Sequence, residues 1–339
     1  MVMLLVSDAL DEAIAIDEDG VAAASGARTM TWAELDAYAS GLAIALERRG
    51  VQPGERVAML ASGLDALVAF WAIAKACAVG VALDTQDVAE LAQALRDFDA
   101  RALLVDAQLA PSFHHAIARA PNVRCVVARN HSTNEHAGTA VYVAWEDALS
   151  EDDESEPLGP RAQRVDLDEA WLEREGDSVR ALSHRVLLAR ASSVARGLDL
   201  AEEDDVSGTA FAETAIACAL SGACMRAWSE ASAPIEGRKP ERTLFLIGDD
   251  EEADGPDGAS EIVFYRHPVC GPIAIVAGDN EPARVLPNVD VRVVDDKGAP
   301  SPHKVVGEIT VRTSSAIVEG RVKTGDSGML DESGGLYLL

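Results

Sequence analysis

Residues able to carry chemistry are few along this chain, and their spacing is unhelpful to most reactions. His114 and His115 with His131 and His136 fall in one region, but no carboxylate or thiolate stands at a metal-ligand spacing beside them. They read as surface histidines. Ser183 and His184 are adjacent, yet neighbouring side chains on a helix diverge, so they form no nucleophile–base pair; His184 reads as a packing residue at a helix start. Five cysteines, Cys77, Cys125, Cys218, Cys224 and Cys270, form no Cys-x-x-Cys and are odd in number, which fits buried thiols in a reducing compartment. No Gly-x-Ser-x-Gly, Walker loop or dinucleotide fingerprint is present. The short run Thr324-Gly325-Asp326 reads as a turn between strands, because glycine supplies the conformations that turns need. No residue is assigned as catalytic and none as a metal ligand.

Composition narrows the partners. The 339 residues are 48% hydrophobic but only 4% aromatic, so the core is built from Ala, Val and Leu. A formal net charge of −28 argues against DNA, RNA and anionic membranes, all of which require a basic footprint. Only five of the 29 cations are Lys. No apolar run reaches membrane-spanning length, since the longest candidate, 66–81, contains Lys75. With no basic n-region at the start, a soluble cytoplasmic protein is expected. Acidic runs at 151–156, 202–205 and 249–254 read as solvated loops.

The elements that must hold any site follow from periodicity. Thr31-Trp32-Ala33-Glu34 is a capping box, followed at helical spacing by Leu35, Ala39, Leu42 and Leu46, with Gly50 as a stop. Strands are expected at 56–61, 79–83, 101–105 and 123–128, alternating with helices at 64–78, 88–97 and 111–120. Such alternation requires crossovers and a mostly parallel sheet covered on both faces. The apolar segment 211–228 reads as a buried helix. Beyond residue 286 the period becomes two: Val289, Val291 and Val293, a turn at Lys297-Gly298, then Ile309 and Val311. That pattern is antiparallel β. The organisation expected is a first α/β lobe at 1–150, an acidic linker at 151–165, a second, shortened α/β lobe at 166–284 and a small antiparallel β lobe at 285–339.

Three stretches resemble the N-terminal domain of the adenylate-forming superfamily, which includes acyl-CoA synthetases, luciferases and peptide-synthetase adenylation domains. The first runs from Met30-Thr-Trp-Ala-Glu-Leu-Asp36 through Gly50-Val-Gln-Pro-Gly-Glu-Arg-Val57 to Ile73-Ala-Lys-Ala-Cys-Ala-Val-Gly80. The second is Leu182-Ser-His-Arg185. The third includes Leu286-Pro-Asn-Val-Asp-Val291, Val306-Gly-Glu-Ile309, Thr324-Gly-Asp326 and Gly335-Leu-Tyr337. The resemblance implies largely parallel sheets flanked by helices plus a small β-barrel-like lobe.

It also implies ATP-dependent activation of a carboxylate, with a phosphate loop reading roughly Thr-Ser-Gly-Thr-Thr-Gly-x-Pro-Lys-Gly. Such a loop needs free backbone N–H groups and a cation. Here the corresponding segment is Glu173-Arg174-Glu175-Gly176-Asp177-Ser178, shorter, acidic and without lysine. The family pattern Tyr-Gly-x-Thr-Glu meets Tyr265-Arg266-His267-Pro268-Val269, where Pro and Val replace the phosphate and metal contacts. The interval 227–261, which walls the acyl pocket in relatives, is short, and the family's C-terminal domain has no counterpart before Leu339. Tyr265, Thr324 and Asp326 remain as remnants of a nucleoside site by this resemblance. The expectation is a catalytically degenerate ligase homologue, without cofactor, working through a protein partner or a second copy of itself. Two alternatives stay open: a split adenylating enzyme, using ATP and Mg²⁺, completed by another chain; and a nucleoside or small-ligand sensor.

Overall fold

The computed structural model describes residues 5–26, 28–130, 138–149, 166–175, 178–226, 240–248, 258–276 and 281–339. The expected linker at 151–165, His131, His136, Gly176, Asp177 and the acidic run at 249–254 lie outside them. Two compact units form, one from Met1–Ser25 with Thr29–His184, the other from Gly26–Arg28 with Arg185–Leu339.

The first unit contains helices α1 (Ser7–Asp17), α2 (Trp32–Arg48), α3 (Gly63–Lys75), α4 (Val88–Asp97), α5 (Phe113–Ile117) and α6 (Trp145–Leu149). Strands β1 (Val21–Ser25) and β2 (Arg28–Thr31) precede α2. A seven-stranded sheet takes β3 (Arg56–Leu60), β4 (Val79–Ala82), β5 (Ala102–Asp106), β6 (Cys125–Arg129), β7 (Val141–Ala144), β8 (Glu169–Glu175) and β9 (Ser178–Ser183), in the order β7-β6-β5-β3-β4-β8-β9. All its pairings are parallel except β8–β9.

The capping box is present: the Thr31 hydroxyl accepts from the Glu34 amide at 3.1 Å, and the Glu34 carboxylate accepts from the Thr31 amide at 2.9 Å, satisfying two orphan helix donors. Asp87 caps α4 in the same spirit, accepting from Ala89 and Glu90. α4 and α5 bury Leu91, Leu95, Phe98 and Phe113 against the sheet residues Leu103, Val105 and Val126. α3 is apolar all round, as a fully enclosed helix must be, and its one cation, the buried Lys75, reaches Asp36 at 2.5 Å. β8 joins β4 only because position 80 is glycine. A Cβ there would stand 2.3 Å from the Trp171 ring, a distance no packed core accepts.

The second unit holds α7 (His184–Leu198, entered from Arg185) and α8 (Phe211–Ser221). With them come β10 (Asp204–Gly208), β11 (Cys224–Arg226), β12 (Arg242–Gly248), β13 (Ser260–His267), β14 (Gly271–Val276) and β15 (Arg284–Val285), which run side by side as β15-β14-β13-β12-β10-β11. β10 to β13 are parallel, and β14 and β15 antiparallel. A separate four-stranded antiparallel sheet contains β16 (Val289–Val294), β17 (Gly307–Thr313), β18 (Val322–Leu330) and β19 (Leu336–Leu338) in chain order. Tyr265, Ile273 and Ala274 from the first of these sheets share one core with Ile309, Val311 and Leu336 from the second.

The α/β class, the parallel sheets and the antiparallel β element thus stand as read from the sequence. The lobe boundaries differ. β8 and β9, expected to open the second lobe, complete the sheet of the first unit, and the chain divides after His184. The element expected at 285–339 shares its core with the sheet before it. Strand character is local, whereas the sheet that a strand joins is decided by distant partners. The buried helix expected at 211–228 stops at Ser221, where Gly222 adopts φ +73°, and β11 follows; a left-handed glycine is a common helix terminator.

Candidate functional site

The segment expected to grip phosphate is a tight hairpin. β8 and β9 pair antiparallel from Leu172 opposite Ala181, through Glu173 opposite Arg180 and Arg174 opposite Val179, to Glu175 opposite Ser178. In the sequence only two residues separate Glu175 from Ser178. Glu173 and Arg180 face each other across the ladder as an opposite-charge pair, an arrangement that stabilises a hairpin. The Arg174 guanidinium lies 5.3 Å from the centre of the Phe98 ring, within cation–π range.

The three expected nucleoside remnants come together. Tyr265, on β13, is buried, and its hydroxyl donates to the Asp326 carboxylate at 2.6 Å. Thr324 donates to the Ile309 carbonyl at 3.1 Å and accepts from the Asp326 amide at 3.2 Å. The register of β17 against β18 jumps here: Glu308 faces Ser327 while Thr310 faces Lys323. Thr324-Gly325-Asp326 is therefore a bulge bent around Ile309, with Gly325 at φ +87°, and it redirects the Asp326 side chain. The Tyr265 ring itself packs with Cys270, Ile273 and Leu336. A ring so enclosed offers no free face to a base.

A cluster that sequence reasoning missed lies one residue further along β13. Glu213 of α8 is 2% exposed and Arg190 of α7 is 1% exposed. Arg190 reaches Glu213 at 3.2 Å, and Arg266 reaches the other carboxylate oxygen at 2.8 Å. Burial pushes the Glu213 carboxyl up, but Arg266 and then Arg190 pull it down further, so it titrates below its ordinary range. Arg190 also donates to the carbonyls of Ser315 at 3.3 Å and Pro268 at 3.2 Å. The turn after β13 is thereby tied to a buried cation. Gly271, at φ +75°, allows this approach, since a Cβ would fall 2.5 Å from the Arg190 Nε.

Space beside the cluster is small. A cavity of about 10 Å³ is lined by Glu213, Thr214, Leu246, Phe264 and Arg266 among others, at the lower bound for a single water. Among the described residues no group of three or more His, Cys, Asp or Glu could hold a metal. All five cysteines are reduced and buried. Burial raises the Cys270 thiol to about 11 against the opposing pull of Arg190, and burial also raises the Cys218 thiol well above its ordinary value, which keeps both inert. His184, as expected, is a packing residue: it is fully buried and its Nδ1 accepts from the Val6 amide at 3.1 Å. His115 is exposed and His114 half-buried.

The model of the AMP-binding enzyme family matches residues 10–169. That match runs from α1 to the first residue of β8. No curated protein sequence matches the chain. Among solved structures the AMP-binding fold extends over nearly all of it. VinN shares 20% identity with a TM-score of 0.74, covering 99% of this chain and 98% of that one. The anthranilate CoA ligase AuaEII, solved with anthranoyl-AMP, shares 17% with a TM-score of 0.77, covering 98% and 76%. The N-terminal domain of FACL13 from Mycobacterium tuberculosis shares 18% with a TM-score of 0.72, covering 99% of each chain. Identities at this level establish the fold alone, which this chain shares with these structures over nearly its whole length.

Against that AMP-binding frame, the buried cluster is the residue set that pattern reading passed over. Its one signal was Glu213, a lone carboxylate in the apolar run Phe211–Ser221. A charge placed there must find a cation, and Arg266 stood in plain view beside Tyr265.

Proposed function

We propose that this AMP-binding fold is catalytically degenerate, a pseudoenzyme that serves as a folded body for contact with another protein. The observation that carries the reading is the β8–β9 ladder, closed as far as Glu175 opposite Ser178. A triphosphate requires several consecutive N–H groups pointing into a loop, and backbone already paired in a ladder as far as Glu175 and Ser178 has none to offer. ATP and Mg²⁺ fit the remaining residues poorly. The Tyr265 ring is enclosed in the core, and the turn at Pro268–Val269 faces the Arg190 guanidinium, whose charge opposes a metal ion.

A partner with a basic face suits a chain of net charge −28, because complementary potentials speed encounter and exclude acidic competitors. Among the described residues β9 has β8 as its only neighbour in the sheet, and an edge strand is able to pair with another chain, including a second copy. Among the described residues no helix is long and apolar enough to cross a membrane.

Isothermal titration of the purified chain with ATP–Mg²⁺ and AMP, beside a pyrophosphate-release assay over a panel of carboxylic acids, tests the reading. Neither binding at micromolar concentration nor release is expected. Micromolar ATP affinity accompanied by pyrophosphate would end it. A nucleoside sensor is favoured by one contact alone, the Tyr265–Asp326 hydrogen bond beside the exposed bulge. Adenosine raising the melting temperature would support that second reading, because a ligand confined to the native state stabilises it.

A further inference from the structure

A cleft of about 650 Å³ in the second unit is formed by none of the residues assigned to the hairpin, the Tyr265–Asp326 contact or the buried cluster. Its volume falls within the roughly 300–1,000 Å³ typical of small-molecule sites. One part of its lining is cationic, with Arg185 from the first turn of α7 and Arg312 from the end of β17. Another part is apolar, with Ala316, Ile317 and Val318 from the loop after β17; Val318 is 50% exposed.

The arginines are unusual for this chain. Neither the Arg185 nor the Arg312 guanidinium has a hydrogen bond or ion pair among the described residues, although acids outnumber cations 57 to 29. Arg185 also stands at the positive end of a helix, where a cation is disfavoured. Of the two acids in the lining, Asp290 is already matched by Arg321 and by Arg292 at 3.5 Å. Counting those two flanking residues, the cleft and its rim hold four arginines against two carboxylates, Asp290 and Glu319. The cleft is a positive island on an acidic protein.

We propose that this cleft binds a small organic phosphate, its head held by Arg185 and Arg312 and its apolar body resting on Ala316, Ile317 and Val318. A carboxylate has two oxygens, which a single guanidinium fork already satisfies. A phosphomonoester offers three oxygens and a charge near −2, enough for both arginines. The site is independent of the proposed loss of carboxylate activation, so either can fail alone.

Titration calorimetry on the full chain at low salt, with phenyl phosphate as probe, tests the assignment. Saturable binding is expected, with inorganic phosphate and benzoate both weaker. Arg185→Gln and Arg312→Gln should each weaken phenyl phosphate about tenfold, the range for one charge-assisted contact. Arg312→Lys, which keeps the charge and loses the fork, should weaken it severalfold. Val318→Asp should reduce affinity for phenyl phosphate more than for inorganic phosphate. All three side chains are exposed, so unchanged melting temperatures are expected of the variants. No saturable binding of phenyl phosphate, tighter binding of benzoate, or full affinity in the double Gln variant would each overturn the proposal.

Discussion

The β8–β9 hairpin and the turn after β13 stand at the two places where the family resemblance puts phosphate and metal contacts, and they are made of different materials. The hairpin is backbone: a ladder closed to Glu175 and Ser178, supported by the Glu173–Arg180 pair and by Arg174 over Phe98. The turn after β13 is charge: Arg190 and Arg266 share Glu213, and Arg190 holds the Pro268 carbonyl. A ladder tolerates a longer connection, because lengthening a loop costs only its closure entropy. A buried ion cluster tolerates very little, because removing any member leaves a charge without a partner. If the proposed loss of carboxylate activation holds, only the hairpin should be open to reversal.

The largest effect should come from Glu213→Ala, which leaves two guanidinium groups without their carboxylate. A loss of about 3–5 kcal/mol is expected for breaking a buried pair, measured by urea unfolding; a loss near that of a surface substitution would mean that the cluster does not hold the second unit. The same carboxyl makes stability depend on pH. Burial raises its pKa, Arg266 and Arg190 lower it more, and the folded value lies below the ordinary 4.5. Its contribution is therefore complete above about pH 4.5 and drains away as pH falls through the folded value. Acid unfolding of wild type should show this loss, and Glu213→Gln should lack it.

Gly271→Ala is the next test. It forces a side chain into positive φ and against Arg190, and should cost about 2 kcal/mol in the same assay. The hairpin should behave otherwise. Eight Gly and Ser residues inserted between Glu175 and Ser178 lengthen the turn from two residues to ten, which costs only about 1.4 kcal/mol in closure entropy. A loss comparable to that of Glu213→Ala would erase the contrast. Smallest is Tyr265→Phe, which removes the hydrogen bond to the exposed Asp326 and should cost about 1 kcal/mol; an unchanged melting temperature would show that the contact is incidental.

The first unit was legible because its signals are local. Thr31 and Glu34 announce α2, and Val57, Val79, Leu103 and Val126 lie in short apolar runs that can only be enclosed strands. The antiparallel period at Val289, Val291 and Val293 was equally plain. β8 was hidden because it follows a long acidic interruption, and nothing within Glu169–Glu175 names β4 as its neighbour. That information sits in Gly80, whose missing side chain makes room for Trp171. The candidate site was half visible. Tyr265, Thr324 and Asp326 were found by pattern and do meet. The fates of Arg190, Glu213 and Arg266, drawn from three separate elements, are decided by long-range packing that no local window contains.

The partnership of β4 with β8 has a consequence for how the chain is made. Some ninety residues separate Gly80 from Trp171, so the nascent polypeptide leaves the ribosome with the flank of β4 uncovered until β8 arrives, and loop closure over that span is slow. A fragment ending at residue 168, just short of β8, should keep that flank bare and self-associate through it. Size-exclusion chromatography, comparing it with a fragment extended to His184, would reveal whether the final hairpin acts as an internal chaperone.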